Sequence, residues 1–297
     1  MLPFNKAYLA ALGYTIIIGF VFIFIKIALQ TSDPLNILAH RFSLSFLFLY
    51  ALKKLGLIKI RLTKKDYFRL FPLALFFPLL FFGFQHYSLL YISVSEGGII
   101  QATVPFFTLL LATIFLKEYP TKVMFAFLCL CVFGVIYILI HSNAPASAST
   151  LGIILMLLST LANSAYNVLA RKMSKTYSPI NLTYAMLTIG MLGFNFLSLV
   201  DYAHRGVLKD YFIPFLTPSF LLSILYLSLF SSVLTAILST YTLSQIEASK
   251  MSVFANLATL ITIFSGILIF DESLQLYHLI GACFILVGVI GTNYCRR

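Results

Sequence analysis

The stretch from Tyr87 to Ile136, YSLLYISVSEGGIIQATVPFFTLLLATIFLKEYPTKVMFAFLCLCVFGVI, decides the fold because the chain contains it twice. It returns without a gap 154 positions later, from Tyr241 to Ile290. The identical pairs include Tyr87 and Tyr241, Leu89 and Leu243, Ile92 and Ile246, Ser95 and Ser249, Thr108 and Thr262, Glu118 and Glu272, and Cys129 and Cys283. Both copies read as an apolar run, a short hinge with a glutamate, a second apolar run and a glycine. Two related halves are therefore predicted.

The apolar content places both halves in a lipid bilayer. The chain has 297 residues, of which 61% are hydrophobic and 10% charged, whereas soluble domains carry about 25% charged residues. A helix of about 20 apolar residues spans a bilayer. Four long runs contain no charge at all: Val123–Ile140, Leu151–Ala170, Ile180–Val200 and Met251–Phe270. Barrel strands alternate polar and apolar residues, which these runs do not, so the sequence predicts an all-α integral membrane protein.

Ten transmembrane helices are expected, separated by short polar segments. Their predicted ranges are 7–29, 35–52, 69–92, 97–116, 122–140, 151–170, 180–200, 217–243, 251–270 and 274–294. The uncharged small-residue stretch HSNAPASAST, residues 141–150, falls between the halves. It is expected to link a first five-helix repeat, residues 1–140, to a second five-helix repeat, residues 151–297.

Each half has five spans, an odd number, so the second repeat is expected to sit upside down relative to the first. Inverted repeats are a recurring plan of secondary transporters, where they surround one central site. The first spans match more weakly at an offset of 145 residues, with Pro34 on Pro179 and Asn36 on Asn181. The alternative is an ancient duplication that was retained for stability alone.

Lysine and arginine set the expected orientation and explain the net charge of +11. With the amino terminus inside, 16 of the 20 basic residues fall on the inner side, as the positive-inside rule requires. Both termini are therefore expected to be cytoplasmic. No basic domain lies outside the bilayer, so the lipid surface is a better partner for these charges than nucleic acid. No cleavable signal peptide is expected, because the first apolar run is too long for one.

With these features the chain resembles the ten-span, EamA-type members of the drug/metabolite transporter superfamily, over both halves. The residues that carry the resemblance are GFVFIFIK from Gly19 to Lys26, Pro34, Arg41, Pro105, Leu116-Lys117-Glu118, Glu272, Gly281 and Gly288. The resemblance implies a carrier in a bacterial-type inner cell membrane that moves small metabolites, often outward. The family often has tryptophan beside the span 1 glycine, whereas Ile18 precedes Gly19 here and the chain has no tryptophan. Thr259 stands at the second-half counterpart of Pro105.

Two polar clusters are candidates for the mouths of a substrate path, because polar groups inside a bilayer usually face a partner or a wet cavity. Gln85, His86 and Tyr87 lie near the outer end of span 3. The repeat places them on Ser239, Thr240 and Tyr241, near the inner end of span 8. Hydrogen bonding between helices is the alternative for both clusters.

A third candidate is one face of span 6. Asn163, Tyr166 and Asn167 have the i, i+3, i+4 spacing that shares a helix face. Their span 1 counterparts are all apolar: Ile18, Val21 and Phe22. A site between the two would have a polar and an apolar wall, which suits a substrate such as an amino acid. Interhelical packing remains the alternative.

Spans 4 and 9 add further candidates. Gln101, Pro105 and Thr108 share one face of span 4, and a mid-membrane proline frees a backbone carbonyl that neighbours or cavity water must satisfy. Asn256 lies beside a small-residue stripe in span 9 that favours helix packing. Glu118 and Glu272 each precede a helix start, where the helix dipole stabilises a carboxylate. We interpret Pro105 and both glutamates as structural hinges.

The remaining ionisable groups allow two hypotheses. Lys26 and Arg41 lie in the outer thirds of adjacent spans, where they would hold an anionic group together, or else snorkel to the headgroups. No carboxylate lies deep in any span. If transport is proton-linked, His86 is the in-span group near the cavity whose ordinary pKa suits the task. Exchange or facilitated transport without an ion is an equal alternative.

The sequence thus predicts a secondary transporter for small organic metabolites, with amino acids or related compounds as the preferred substrate class. No cofactor and no metal are expected, and the phosphate-binding pattern G-x-x-x-x-G-K-[ST] is absent from the sequence. One alternative is a non-transporting membrane interaction or structural subunit. A membrane-embedded enzyme is disfavoured because the five histidines are scattered over different spans: His40, His86, His141, His204 and His278.

Overall fold

The structure, a computed structural model, describes residues 6–116, 121–141, 146–174, 176–238, 242, 248–272 and 275–294. Every regular element in these ranges is a helix. The α-helices are α1 Lys6–Leu29, α2 Pro34–Lys54, α3 Lys64–Ala74, α4 Phe81–Ser88, α5 Val94–Gln101, α6 Val104–Leu116, α7 Lys122–His141, α8 Ala146–Met173, α9 Pro179–His204, α10 Pro218–Leu225, α11 Ala248–Phe270 and α12 Leu276–Tyr294. A 3-10 helix covers Leu208–Leu216, and π-helical segments cover Leu75–Leu80 and Tyr226–Leu234.

Seven described helices are long and apolar enough to cross a membrane: Lys6–Leu29, Pro34–Lys54, Lys64–Ser88, Val94–Phe115, Thr150–Ala170, Pro179–His204 and Pro218–Leu238. Three shorter apolar helical segments fall in the remaining predicted spans: Phe125–Gly134, Leu257–Phe270 and Leu276–Gly288. The prediction of an all-α membrane protein is confirmed. The count of ten spans stays a prediction, which these ten segments support.

Polar residues between the spans cap the helices that follow them. Asp33 caps α2 by accepting a hydrogen bond from the Asn36 backbone N–H at 3.0 Å, and Pro34 occupies the first turn. Ser93 and Glu96 form a reciprocal capping box at the start of α5, with bonds of 2.9 and 3.1 Å. These bonds satisfy backbone N–H groups that the first turn of a helix leaves without a partner.

Two ends of the bundle are identified by contacts between its loops. At the end that we name the Lys6 end, Arg61 N–H donates to Asn181 at 3.2 Å, and Tyr177 donates to Asp66 at 2.7 Å. At the opposite end, named the Lys26 end, Tyr202 donates to Asp33 at 2.9 Å, and Arg205 lies 3.4 Å from the same carboxylate. Successive long helices therefore run antiparallel between these two ends.

Several helices pack against their repeat counterparts from the other predicted half. Helix α2 packs against its repeat counterpart α9, and α7 packs against its counterpart α12. Helix α1 packs against α11, and the corresponding contact in the other half joins α8 to α5 and α6. The two inverted repeats, residues 1–140 and 151–297, stay a prediction that this exchange of partners supports.

Small residues bring α1, α5 and α11 together. A Cβ atom at Gly19 would lie 2.5 Å from Ile261, and one at Gly98 would lie 2.8 Å from Thr262. The Thr262 hydroxyl donates to the Gly19 carbonyl at 2.9 Å. Glycine lets helix backbones approach closely in a membrane, so α11 lies directly against both neighbours at the bundle centre.

The two π-helical segments fall at repeat-related positions. At the 154-residue offset, Tyr226–Leu234 corresponds to residues 72–80, which contain Leu75–Leu80. In the first segment Phe77 leaves the helical region, with φ −141° and ψ 111°, directly before Pro78. Proline cannot donate a helical hydrogen bond, and π turns often mark functional positions in a helix. Both halves are therefore irregular at corresponding positions of the repeat.

Opposite charges hold the connection between α4 and α5 at the Lys26 end. The Lys26 ammonium donates to the carbonyl oxygens of Leu89 at 2.9 Å and Ile92 at 2.8 Å. Because the carboxyl end of a helix carries partial negative charge, a cation just after α4 is favourable. Lys26 thereby ties α1 to the connection.

Glu272 binds the other side of the same connection. Its carboxylate accepts from the backbone N–H groups of Val94 at 2.7 Å and Ser95 at 2.9 Å, and from the Ser95 hydroxyl at 2.7 Å. The sequence suggested that Glu272 is stabilised by the helix that follows it, whereas the structure places it on the start of α5 in the other half. Gly266 provides the space for this carboxylate, because a Cβ atom at position 266 would lie 2.5 Å from it. Glu118 lies outside the described residues.

Replacement of Glu272 by glutamine should lower the stability of the folded protein. The neutral amide keeps one acceptor oxygen and turns an N–H₂ group towards the N–H groups of Val94 and Ser95. We expect a loss of about 1.5–3 kcal/mol, the range for hydrogen bonds to charged groups, measured by thermal unfolding of the purified protein in detergent. Asp271→Asn is the control, because this exposed neighbour has φ 49°, a conformation that asparagine tolerates. Equal unfolding temperatures for both variants would contradict the expectation.

Candidate functional site

A cavity of about 530 Å³ lies at the centre of the bundle. Its lining comes from α1, α2, α4, α5, α6, α8, α9 and α11 and from both π-helical segments. The sequence predicted walls from spans 1, 3, 4, 6, 8 and 9, and the structure adds Phe42 of α2 and Thr183 of α9. The volume lies within the range of roughly 300–1,000 Å³ that small-molecule sites occupy.

The predicted polar and apolar faces both line this cavity. The polar face is Asn163, Tyr166 and Asn167 of α8, and the apolar face is Ile18, Val21 and Phe22 of α1. The Tyr166 ring stacks on Phe77 with a centroid distance of 4.6 Å. The side chain of Asn167 is exposed. A molecule in the cavity therefore meets amide groups on one side and hydrocarbon on the other.

An aromatic wall, which the sequence did not predict, covers much of the remaining surface. Its members are Tyr14, Phe42, Phe77, Phe81 and Phe82. Phe82 lies edge-to-face against Phe42, with centroids 5.4 Å apart. The run of phenylalanines near Pro78 is the sequence signal. Periodicity cannot tell a ring that faces lipid from one that faces a cavity, because both surroundings accept apolar side chains.

Two glutamines link the first half's helices beside the cavity. Gln85 and Gln101 both line it, and the Gln85 side-chain nitrogen lies 3.5 Å from the Gln101 oxygen. The Gln85 side-chain oxygen is buried and has no hydrogen-bond partner within the described residues. Ser231, Ser232 and Thr235, which the sequence did not single out, also line the cavity. Both glutamines are therefore placed to contact a bound molecule.

His86 and Tyr87 do not line the cavity. His86 is fully buried, and its Nδ1 donates to the Phe82 carbonyl at 2.9 Å, so Nε2 of the neutral ring is an acceptor. That Nε2 atom has no partner among the residues that the structure describes. Tyr87 is half-buried. Of the three neighbours predicted as one cluster, only Gln85 reaches the cavity.

Five other predicted residues lie wholly or partly outside the part of the chain that the structure describes. Ser239, Thr240 and Tyr241 lie outside the described residues. Pro105 and Asn256 lie in α6 and α11, but their side chains belong to the undescribed part. Their proposed contacts with substrate, and the hinge role of Pro105, stay predictions.

Arg41 is fully buried next to the cavity wall. Its Nε and Nη2 atoms donate to the hydroxyl groups of Ser232 at 3.2 Å and Ser231 at 3.1 Å. Its guanidinium carbon lies 4.1 Å from the Phe82 ring centroid. Lys26, by contrast, binds backbone carbonyls at the Lys26 end, so the structure does not bring the two predicted anion contacts together. A fully buried Arg41 does not snorkel to the headgroups.

Among the described residues, the cavity lining extends towards the Lys6 end of the bundle. Tyr14, Thr183 and Thr235 extend its lining towards the Lys6 end. Above it, at the Lys26 end, Ile25, Ile92, Phe220 and Ile224 form part of one buried cluster. Tyr226 stacks on Phe24 with centroids 3.9 Å apart and donates to the Ile17 carbonyl at 2.7 Å. Within the described residues, packed side chains therefore cover the cavity on the side of the Lys26 end.

Comparisons with known proteins agree with this architecture. A model of the "EamA-like transporter family" matches residues 5–140 and 150–294. The "Uncharacterized transporter YcxC" of Bacillus subtilis (strain 168) is 46% identical over 97% of this chain and 93% of its own length. An "Uncharacterized transporter" of Archaeoglobus fulgidus is 26% identical over 91% of this chain and 92% of its own length.

One solved crystal structure of a protein shares the fold, with a TM-score of 0.61 and 12% sequence identity, over 97% of this chain and 96% of that chain. At this identity the likeness concerns the fold alone. The family match covers both halves and nearly all of the chain. The chain belongs to the EamA-like transporter family.

Proposed function

We propose that the protein is a secondary transporter that moves small organic metabolites, in particular amino acids or related compounds, across the cell membrane by alternating access. One observation carries this proposal: a central cavity of about 530 Å³ with a polar wall on α8 and an apolar wall on α1. Transporter folds with repeats bind their substrates near the bilayer midplane, where broken helices meet. The two π-helical segments beside this cavity fit that plan.

The two walls favour a substrate with one polar and one apolar end. The amide groups of Asn163 and Asn167, together with Gln85, offer both hydrogen-bond donors and acceptors. Ile18 and Phe22 face them with hydrocarbon. A sugar would leave its hydroxyl groups unpaired against the apolar wall, which costs free energy. An amino acid with an apolar side chain satisfies both walls.

The closed Lys26 end supports alternating access. In this state Lys26 and Glu272 hold the connection Leu89–Ser95, and the cavity reaches towards the Lys6 end. If the Lys6 end is cytoplasmic, as the distribution of lysine and arginine predicts, the state is inward-facing. Opening the other end requires α1 and Glu272 to leave the connection. Partner exchange between the two proposed inverted repeats would supply that second state.

The direct test is counterflow of labelled amino acids into liposomes that contain the purified protein. We expect saturable counterflow of at least one amino acid with an apolar side chain. Asn167→Ala should reduce it about tenfold, since one hydrogen bond to substrate is worth about 1 kcal/mol or somewhat more. Leu161→Ala is the matched control, because Leu161 lies on the same helix and is 36% exposed on its surface.

Failure of a broad metabolite panel with folded protein would count against the proposal and favour a non-transporting subunit. Equal counterflow by the Asn167 and Leu161 variants would show that Asn167 does not bind the substrate.

The proton hypothesis has its own test. His86→Gln keeps the side-chain volume and hydrogen bonding roughly similar but removes a titratable ring, so proton-driven uptake should be lost while counterflow without a pH gradient continues. The measurement is uptake into liposomes with and without an imposed pH gradient. Full pH-driven uptake by His86→Gln would exclude His86 as the proton carrier.

A further inference from the structure

Three buried side-chain atoms beside the cavity have no hydrogen-bond partner in the described part of the chain: Arg41 Nη1, Gln85 Oε1 and His86 Nε2. The first is a cationic donor, and the other two are neutral acceptors. Native proteins satisfy most buried polar atoms. A cluster of orphaned atoms around one residue, Phe82, therefore needs an explanation.

Arg41 is the most costly member of this cluster. Its side chain is 0% exposed. None of the ion pairs found within the described ranges includes it. Its partners are two serine hydroxyls and the faces of two phenylalanine rings. A buried charge without a counter-charge is strongly destabilising, and an ionisable group inside a membrane protein points to function.

The neighbours of Arg41 place its guanidinium at the cavity wall. Ser231, Ser232 and Phe82 all contact the guanidinium, and all three line the cavity. Side chains that line the cavity therefore also contact the cation directly. Both serines belong to the second π-helical segment, which is the irregular part of its helix.

We infer that the substrate carries a carboxylate and that Arg41 is its counter-ion, an inference that rests on the proposed function. The carboxylate replaces the neutral hydroxyls of Ser231 and Ser232 as the partner of the guanidinium. A carboxylate adds a full negative charge that the hydroxyls lack, and its two oxygens match the guanidinium fork in a bidentate pair. The orphaned Nη1 atom gains its acceptor in the same step.

Gln85 offers a partner for the ammonium group of a zwitterionic substrate. Gln85 lines the cavity, and its buried, unpartnered side-chain oxygen is an acceptor, so it repels a carboxylate and attracts an ammonium group. A donor at Arg41 and an acceptor at Gln85 fit the two charges of an amino acid better than they fit an amine or a simple acid. The apolar side chain then lies against the aromatic wall.

The test measures binding rather than transport. Purified full-length protein is heated in detergent with L-leucine or L-phenylalanine, and separately with leucinamide or phenylalaninamide, which lack the carboxylate. The acids should raise the apparent unfolding temperature and the amides should not. Arg41→Gln should weaken binding of the acids about 30-fold or more, as expected when one partner of a buried charge pair is removed. Arg41→Lys, which keeps the charge but not the fork, should fall in between.

Two controls separate a binding role from a structural one. Arg69→Gln removes the same charge from an exposed position and should keep the preference for acids over amides. Arg41→Met should raise the unfolding temperature of the ligand-free protein, because it replaces a buried unpaired cation by hydrocarbon. If Arg41→Met unfolds at a lower temperature and still binds acids in preference to amides, the inference is overturned and Arg41 has a structural role.

Acids and amides that stabilise equally, or acids that do not stabilise at all, would also overturn it. Counterflow of a metabolite without a carboxylate would refute the Arg41 assignment and leave the transporter standing. Arg41-dependent binding of the acids without any counterflow would refute transport and leave the binding site standing. The two conclusions therefore fail separately.

Discussion

The whole structure depends on one constraint: a polar group in a lipid bilayer finds no water and must find a partner within the protein. Side-chain hydroxyls satisfy this constraint by donating hydrogen bonds to backbone carbonyls of neighbouring helices. Ser88 donates to Gly152 at 2.7 Å, Ser159 to Phe81 at 2.9 Å and Ser164 to Val104 at 3.0 Å. Each bond fixes the depth and rotation of α8 against the first half. The central cavity is the space that these fixed helices enclose.

The exceptions to this constraint are as informative as the rule. Among the described residues beside the cavity, the Arg41 Nη1 atom and the Gln85 Oε1 atom are buried and have no hydrogen-bond partner. Natural proteins keep locally unfavourable groups where function needs them. At the Lys26 end, by contrast, Lys26 and Glu272 are fully engaged with the ends of α4 and α5. Hydrogen bonds therefore hold the helices together at the Lys26 end. Beside the cavity, by contrast, Arg41 and Gln85 each keep an atom without a hydrogen-bond partner.

Sequence reasoning reached the fold and part of the site for identifiable physical reasons. Apolar runs and the internal repeat are properties of the chain itself, and the face of Asn163 and Asn167 follows from helix geometry alone. The serine pair Ser231 and Ser232 and the contact of Glu272 with α5 depend on how helices rotate against each other. Helices that are apolar all round do not encode that rotation. The separation of Lys26 from Arg41 was missed for the same reason.

A structure of the protein with the amino acid that it binds most tightly would test the central claim, that the unpartnered groups at the cavity are completed by the substrate. The account predicts a carboxylate oxygen about 2.7–2.9 Å from a nitrogen of Arg41, the usual length of a charge-assisted hydrogen bond. It also predicts an ammonium group at the Gln85 oxygen, with the serine hydroxyls displaced. A substrate bound in the cavity while Arg41 still contacts only Ser231 and Ser232 would contradict it.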